Sequence, residues 1–181
     1  MTAERPGPAL DRLWAGWRTG YIQGAAATRA ERGSGADACV FCAILASGEP
    51  DEATHVVWRH PAGRAFALLN AYPYGTGHLL VLPTRHVADL EALDDAEAAD
   101  LWAGARAAVA AVKAAYHPDG VNLGANLGEA SGAGVPGHLH LHVLPRWSGD
   151  TNFMTAVAEA RVLPEPLSAT AAKLRAAWPA G

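Results

Sequence analysis

Three histidines, His138, His140 and His142, stand at alternate positions with Leu139, Leu141 and Val143 among them. Imidazole titrates near neutrality and serves as nucleophile, proton carrier or metal ligand. Strict alternation is the pattern of a half-buried β-strand, so the three rings are expected on one face while the aliphatic residues pack into a core. Histidines placed this way sit on a rigid element rather than on a loop, which suits groups that must meet a reacting atom. A lone histidine on such a strand is ordinarily a satisfied core residue. Three in register, flanked by polar loops, point instead to a functional site.

A second cluster of chemistry-bearing residues is Cys39-Val40-Phe41-Cys42, which holds both cysteines of the chain. By itself this spacing is open to redox chemistry, metal binding or inert packing. Redox chemistry of the thioredoxin kind is the weakest reading, because no βαβ pattern surrounds the pair. Two thiolates need two further ligands for a closed tetrahedral zinc site, and the chain offers histidines elsewhere. The glycine-rich run from Gly128 to Gly137 leads directly into the histidine strand, where its backbone N–H groups can approach an anion.

The elements that must position these groups are legible in order. Leu10, Leu13, Trp14, Trp17 and Tyr21 recur at helical spacing and predict a short amphipathic helix that docks on the domain or on a second subunit. Gly24 to Asp37 reads as a linker, and Cys39 opens a helical stretch that stops at Gly48. Thr54 to Trp58 and Arg64 to Leu69 predict a hairpin around the turn His60-Pro61-Ala62-Gly63. The polar loop from Asn70 to Gly77 precedes a buried strand from His78 to Pro83. Asp94 with Glu97 predicts a capping box opening a long alanine-rich helix. That helix carries Leu101, Ala105, Ala108, Val109, Val112 and Tyr116 on one face, ends before Pro118, and should cover one side of the sheet. Gly120 to Leu127 reads as a strand and Leu167 to Trp178 as a closing helix.

Composition narrows the function classes. At 181 residues the chain suits one domain with appendages. No apolar run reaches the length of a membrane span, and Met1 to Gly7 lacks the pattern of a secretory signal, so a soluble protein is expected. A formal charge of −4 argues against broad nucleic-acid binding, although a local pocket for a small phosphorylated ligand is compatible with it. Two cysteines three residues apart make no disulfide framework, which fits a reducing cytoplasm.

His138 to Arg146 resembles the defining motif of the histidine triad (HIT) family. Asn70 to Pro83 resembles the family's polar loop and glycine-histidine strand, and Asn126 to Gly134 its phosphate-side loop. The resemblance covers about Cys39 to Met154 with the order of elements kept. Leu13-Trp14-Ala15, Trp17-Arg18 and Tyr21-Ile22, with Trp147 and Gly149 to Met154, resemble more narrowly the bacterial branch of diadenosine tetraphosphate phosphorylases. The resemblance implies an α+β fold, HIT-like, with an antiparallel sheet of about five strands, a long covering helix and a short N-terminal helix. The corresponding divisions are 1–37 for the N-terminal helix and linker, 38–155 for the HIT domain and 156–181 for a tail with a short helix.

The same resemblance implies cleavage of dinucleoside polyphosphates at the α-phosphate, with AMP or ADP among the nucleotides bound. His140 would attack to form a nucleotidyl-histidine, which phosphate or water then releases, phosphate being favoured. His142 would donate to the phosphate and His138 would complete the triad. Asn126 and the amides of Gly132, Gly134 and Val135 would supply further donors, Asn70 would meet the ribose, and Phe41 and Leu69 would wall the base. A structural zinc is implied between Cys39, Cys42, His86 and His138, and a homodimer or higher homo-oligomer is expected. Simple hydrolysis and nucleoside phosphoramidase activity are the alternatives on the same fold; a non-catalytic nucleotide-binding regulator is the alternative from another class. His78 is expected to bond between strands, His55, His60 and His117 to be solvated, and Arg146 to face either phosphate or a neighbouring loop.

Overall fold

The structure is a computed structural model and describes residues 35–150 and 165–180. The expected N-terminal helix, most of the linker, and the motifs at Leu13 to Ile22 and Thr151 to Met154 lie outside the described residues.

Helix α1 (Val40–Ala46) starts directly after Cys39, and α2 (Asp51–Thr54) is a single turn. Five strands follow: β1 (Val56–Arg59), β2 (Ala65–Leu69), β3 (Leu79–Pro83), β4 (Gly120–Ala125) and β5 (Leu141–Arg146). They form one antiparallel sheet in the order β1-β2-β3-β5-β4. Between β3 and β4 runs α3 (Asp95–Tyr116), and α4 (Leu167–Ala177) closes the described chain. The expected hairpin, buried strand, long helix and closing helix are all present.

Strands β2 and β3 are buried at every position, so both faces of the sheet are covered along them, while β4 at the far edge is largely exposed. Alternation sorts their side chains into two cores. Ala67, Leu69, Leu79 and Val81 join Leu139, Leu141 and Val143 beneath α3, whose Leu101, Ala105, Ala108 and Val112 face them. Phe66, Leu68, Leu80 and Leu82 lie on the other face with Val56, Cys39 and Phe41. At Gly104 a Cβ would come within 2.8 Å of the Trp58 ring, so only glycine lets α3 approach the sheet this closely.

Helix α3 is 22 residues long and opens with the expected capping box. The Asp94 carboxylate accepts from Glu97 N at 2.8 Å, and Glu97 accepts from Asp94 N at 3.1 Å. His117 ends the helix in the left-handed conformation just before Pro118. Helix α4 buries Ala171 and Leu174 in the core beneath α3, while Arg175 donates to the carbonyls of Val56 and Asp51, both at 2.6 Å. These contacts tie α4 to the edge of the sheet.

One boundary differs from expectation in a way that matters for the site. Strand β5 begins at Leu141, so His138 and His140 precede the ladder. The β3–β5 register pairs Val81 with Leu141; continued two steps, it would set Pro83 against Leu139, and proline has no N–H to give. Leu139 N–H instead bonds to the Val87 carbonyl at 2.6 Å, outside the ladder.

Candidate active site and metal centre

Despite the shortened strand, the three imidazoles share one side of the chain. Phe41 packs against the rings of both His138 and His140, with centroids 5.5 Å away in each case, and the His140 and His142 rings lie 5.0 Å apart. Leu139, Leu141 and Val143 turn to the opposite core under α3. His138 and His140 are 0% and 6% exposed.

Hydrogen bonds fix which nitrogen of each ring carries the proton. His140 Nδ1–H donates to the His138 carbonyl at 2.8 Å, which leaves the lone pair on Nε2. For His142 the assignment passes through His78. Tyr74 N–H donates to His78 Nδ1 at 3.0 Å, so the His78 proton sits on Nε2. That N–H donates to His142 Nδ1 at 2.9 Å, which puts the His142 proton on its own Nε2. His142 Nε2 is buried and has no hydrogen-bond partner among the described residues. An orphaned buried donor costs about 1–3 kcal/mol unless a ligand satisfies it. The site therefore presents a lone pair on His140 beside an unsatisfied N–H on His142.

Electrostatics keep these rings neutral. Burial lowers the pKa of His138 and of His140. Burial, then the neighbouring His140, pushes His142 down to about 4. His78, only 1% exposed, was expected merely to bond between strands. It does so, and it also sets the tautomer of His142. The sequence signal was a polar residue heading an otherwise apolar strand immediately after Gly75-Thr76-Gly77.

A cluster that could hold a metal ion is built on the other side of His138. Its Nε2–H donates to the Pro83 carbonyl at 2.9 Å, which turns the Nδ1 lone pair towards Cys39 Sγ at 3.4 Å and Cys42 Sγ at 3.6 Å. His86 Nδ1 lies 3.4 Å from Cys42 Sγ. All four ligand atoms fall within 4.8 Å of one another. Tetrahedral zinc with bonds of about 2.3 Å to sulfur and about 2.0 Å to nitrogen sets N···S separations of about 3.5 Å, so the donor set fits that ion. Burial and the adjacent Cys39 push the Cys42 thiol up to about 11, a cost that a cation replacing the protons removes. The loop bearing His86 is held on both flanks: Arg85 donates to both Glu97 carboxylate oxygens, at 2.7 and 2.6 Å, and Val87 accepts from Leu139.

The residues expected around a nucleotide fare unequally. Val135 packs at the rim of the core that contains Phe41. Asn126 follows β4, whose register pairs Ala125 with Leu141, so one further step sets it opposite His140. Gly134 lies in the same loop as Val135. Asn70 uses its side chain within the polar loop: Oδ1 accepts from Tyr72 N at 3.1 Å, and Nδ2 is 3.4 Å from His78 Nδ1. Two expectations need correction. Leu69 belongs to the core under α3, on the opposite face from Phe41 and the imidazoles, because β2 alternation turns Leu68 to that side instead. It cannot wall a base there. The Gly132 N–H bonds the Glu129 carbonyl at 3.1 Å, closing the 3-10 turn Glu129–Ser131, so it is no donor for a phosphate.

Other polar residues settle away from the site. Arg146 faces a neighbouring loop, donating to Asp150 at 2.6 and 2.8 Å and to Asn122 at 2.8 Å. His117 is exposed as expected, whereas His55 and His60 are half-buried and His60 lies 3.2 Å from Asp100.

Comparison with known proteins agrees with this geometry. The HIT domain profile matches residues 51–149. A Mycobacterium tuberculosis protein named AP-4-A phosphorylase is 40% identical over 169 residues, which span 93% of this chain and 85% of that protein. The crystal structure of a zinc-bound histidine triad family protein from Mycobacterium smegmatis superposes with a TM-score of 0.63 at 31% identity, covering 79% of this chain and 94% of that one. A hypothetical histidine triad nucleotide-binding protein from Sulfolobus tokodaii gives 0.62 at 27% identity over 77% of this chain and 91% of its own. Among the described residues no helix is long and apolar enough to cross a membrane. The three alternating histidines lie in a HIT domain, and the chain belongs to that family.

Proposed function

We propose that the protein is an enzyme that cleaves dinucleoside polyphosphates of the diadenosine tetraphosphate type, passing the nucleotidyl group through His140. The observation that carries this is the pairing of a lone-pair nitrogen on His140 with a buried N–H on His142 that has no partner among the described residues. His140 Nε2 attacks the α-phosphorus, a P–N bond forms, and the P–O bond to the rest of the polyphosphate breaks. The imidazolium so produced keeps its Nδ1–H on the His138 carbonyl, which stabilises the positive charge. His142 Nε2–H meets a phosphoryl or leaving-group oxygen where charge develops, joined by Asn126 and the amides of Gly134 and Val135. Inorganic phosphate then attacks the same phosphorus and releases the nucleotide, returning His140 to its starting state. Splitting the transfer in two avoids direct approach of two anions. Zinc, held by Cys39, Cys42, His86 and His138, supplies structural cross-linking alone, since protein fills all four ligand positions.

The name of the tuberculosis relative supports this substrate class and the choice of phosphate as acceptor. The protein acts as a homodimer or higher homo-oligomer, and residues 38–155 form the catalytic domain. The test is product analysis of diadenosine tetraphosphate incubated with and without phosphate. ADP with ATP, formed only when phosphate is present, is the expected result. AMP with ATP in its absence means hydrolysis, and no cleavage under either condition refutes the proposal.

A further inference from the structure

We propose that Cys39 and Cys42 form an oxidisable pair, so that the metal knuckle is a site of peroxide modification as well as a cross-link. This rests on the metal reading above. Both thiols are free, and their sulfurs lie in one cluster of ligand atoms within 4.8 Å. Cys39 caps the start of α1 in an extended conformation, and the first helical turn returns Cys42 beside it. Cys39 is buried while Cys42 is partly exposed, so a small oxidant reaches Cys42 first.

Metal-bound sulfurs are thiolates at neutral pH. A hydroperoxide takes two electrons from the pair in two displacements. The Cys42 sulfur attacks the distal peroxide oxygen, the O–O bond breaks, and the alkoxide or hydroxide leaves and is protonated by water. The Cys39 sulfur then attacks Cys42 sulfenic acid, the S–S bond forms, and hydroxide leaves as water after protonation. Disulfide sulfurs carry no charge, so a divalent cation loses both anionic ligands and departs. The change reaches the active site by two routes. His138, whose ring loses the metal, also supplies the carbonyl that holds His140 Nδ1. Phe41 lies between the two cysteines and touches both rings.

The experiment treats the full-length, zinc-loaded protein with stoichiometric hydrogen peroxide and follows zinc with a chromophoric chelator, thiols by titration, and intact mass. The expected result is release of about one zinc per chain in step with loss of two thiols and two mass units, reversed by a dithiol with added zinc. A Cys42→His variant, which keeps an imidazole donor and lacks the second sulfur, should retain zinc under the same peroxide. Zinc retained by the parent with both thiols intact overturns the proposal and leaves the metal reading standing. A full-length protein that takes up no zinc overturns the metal reading, and the proposal with it.

Discussion

Replacing His78 with leucine removes a residue that this mechanism places behind the catalytic pair. The substitution keeps an apolar body at the head of β3 but takes away the N–H that bonds His142 Nδ1 at 2.9 Å and the lone pair that receives Tyr74 N–H at 3.0 Å. His142 then has no partner dictating that its proton sit on Nε2, and its ring is free to turn. A buried hydrogen bond of this kind is worth about 1.4–2.8 kcal/mol, which as lost transition-state orientation lowers kcat roughly 10–100-fold. Because Asn126 and the amides of Gly134 and Val135 make no contact through His78, KM should move less than kcat. Glutamine offers both an acceptor for Tyr74 N–H and a donor for His142, so His78→Gln should recover about tenfold of the loss. Steady-state cleavage of diadenosine tetraphosphate by the three proteins reads the rates, and nitrogen chemical shifts of His142 read the tautomer directly. A His78→Leu enzyme within about twofold of the parent kcat, or a glutamine variant no better than leucine, would refute the relay.

Further outcomes follow from the same geometry. His140→Ala should lower turnover by at least about a thousandfold while nucleotide affinity by calorimetry stays within about threefold, since the ring is used chiefly in bond making. Metal analysis should find about one zinc per chain in the parent and far less in Cys39→Ser, with a lower melting temperature for the variant. Leu69→Ala should cost about 2–4 kcal/mol in denaturant unfolding and leave KM unchanged, because it empties space under α3 and not beside the imidazoles. Glu97 is held down to about 2, mainly by the Arg85 guanidinium and next by Asp94 N–H. A carboxylate with a depressed folded pKa contributes stability that is complete above its ordinary value, near 4.5, and is lost as pH falls towards 2. Unfolding midpoints measured across that window should therefore drop more steeply for the parent than for Glu97→Gln.

What the sequence made legible and what it hid divide along a physical line. Alternation and capping chemistry are local, and they delivered the hairpin, β3, the box at Asp94 and Glu97, and the shared side of His138, His140 and His142. Resemblance pointed to Cys39, Cys42, His86 and His138 as one ligand set, and the folded chain does bring these distant residues together. The misses came where a residue's role depends on a partner that spacing cannot name. The family resemblance implied Leu69 as a wall for the base, yet pleat parity set by the β2–β3 register sends it to the other core. Gly132 looked like a free amide until its turn closed on Glu129. His78 was legible as a bonding residue but not as the source of the His142 tautomer, since that depends on a backbone N–H from Tyr74 reaching the far side of its ring. In each case the residue type was informative and the direction of its hydrogen bond or side chain was decided by tertiary contact. For this site direction is the chemistry: the same three imidazoles with the proton of His140 on Nε2 would have no nucleophile to offer.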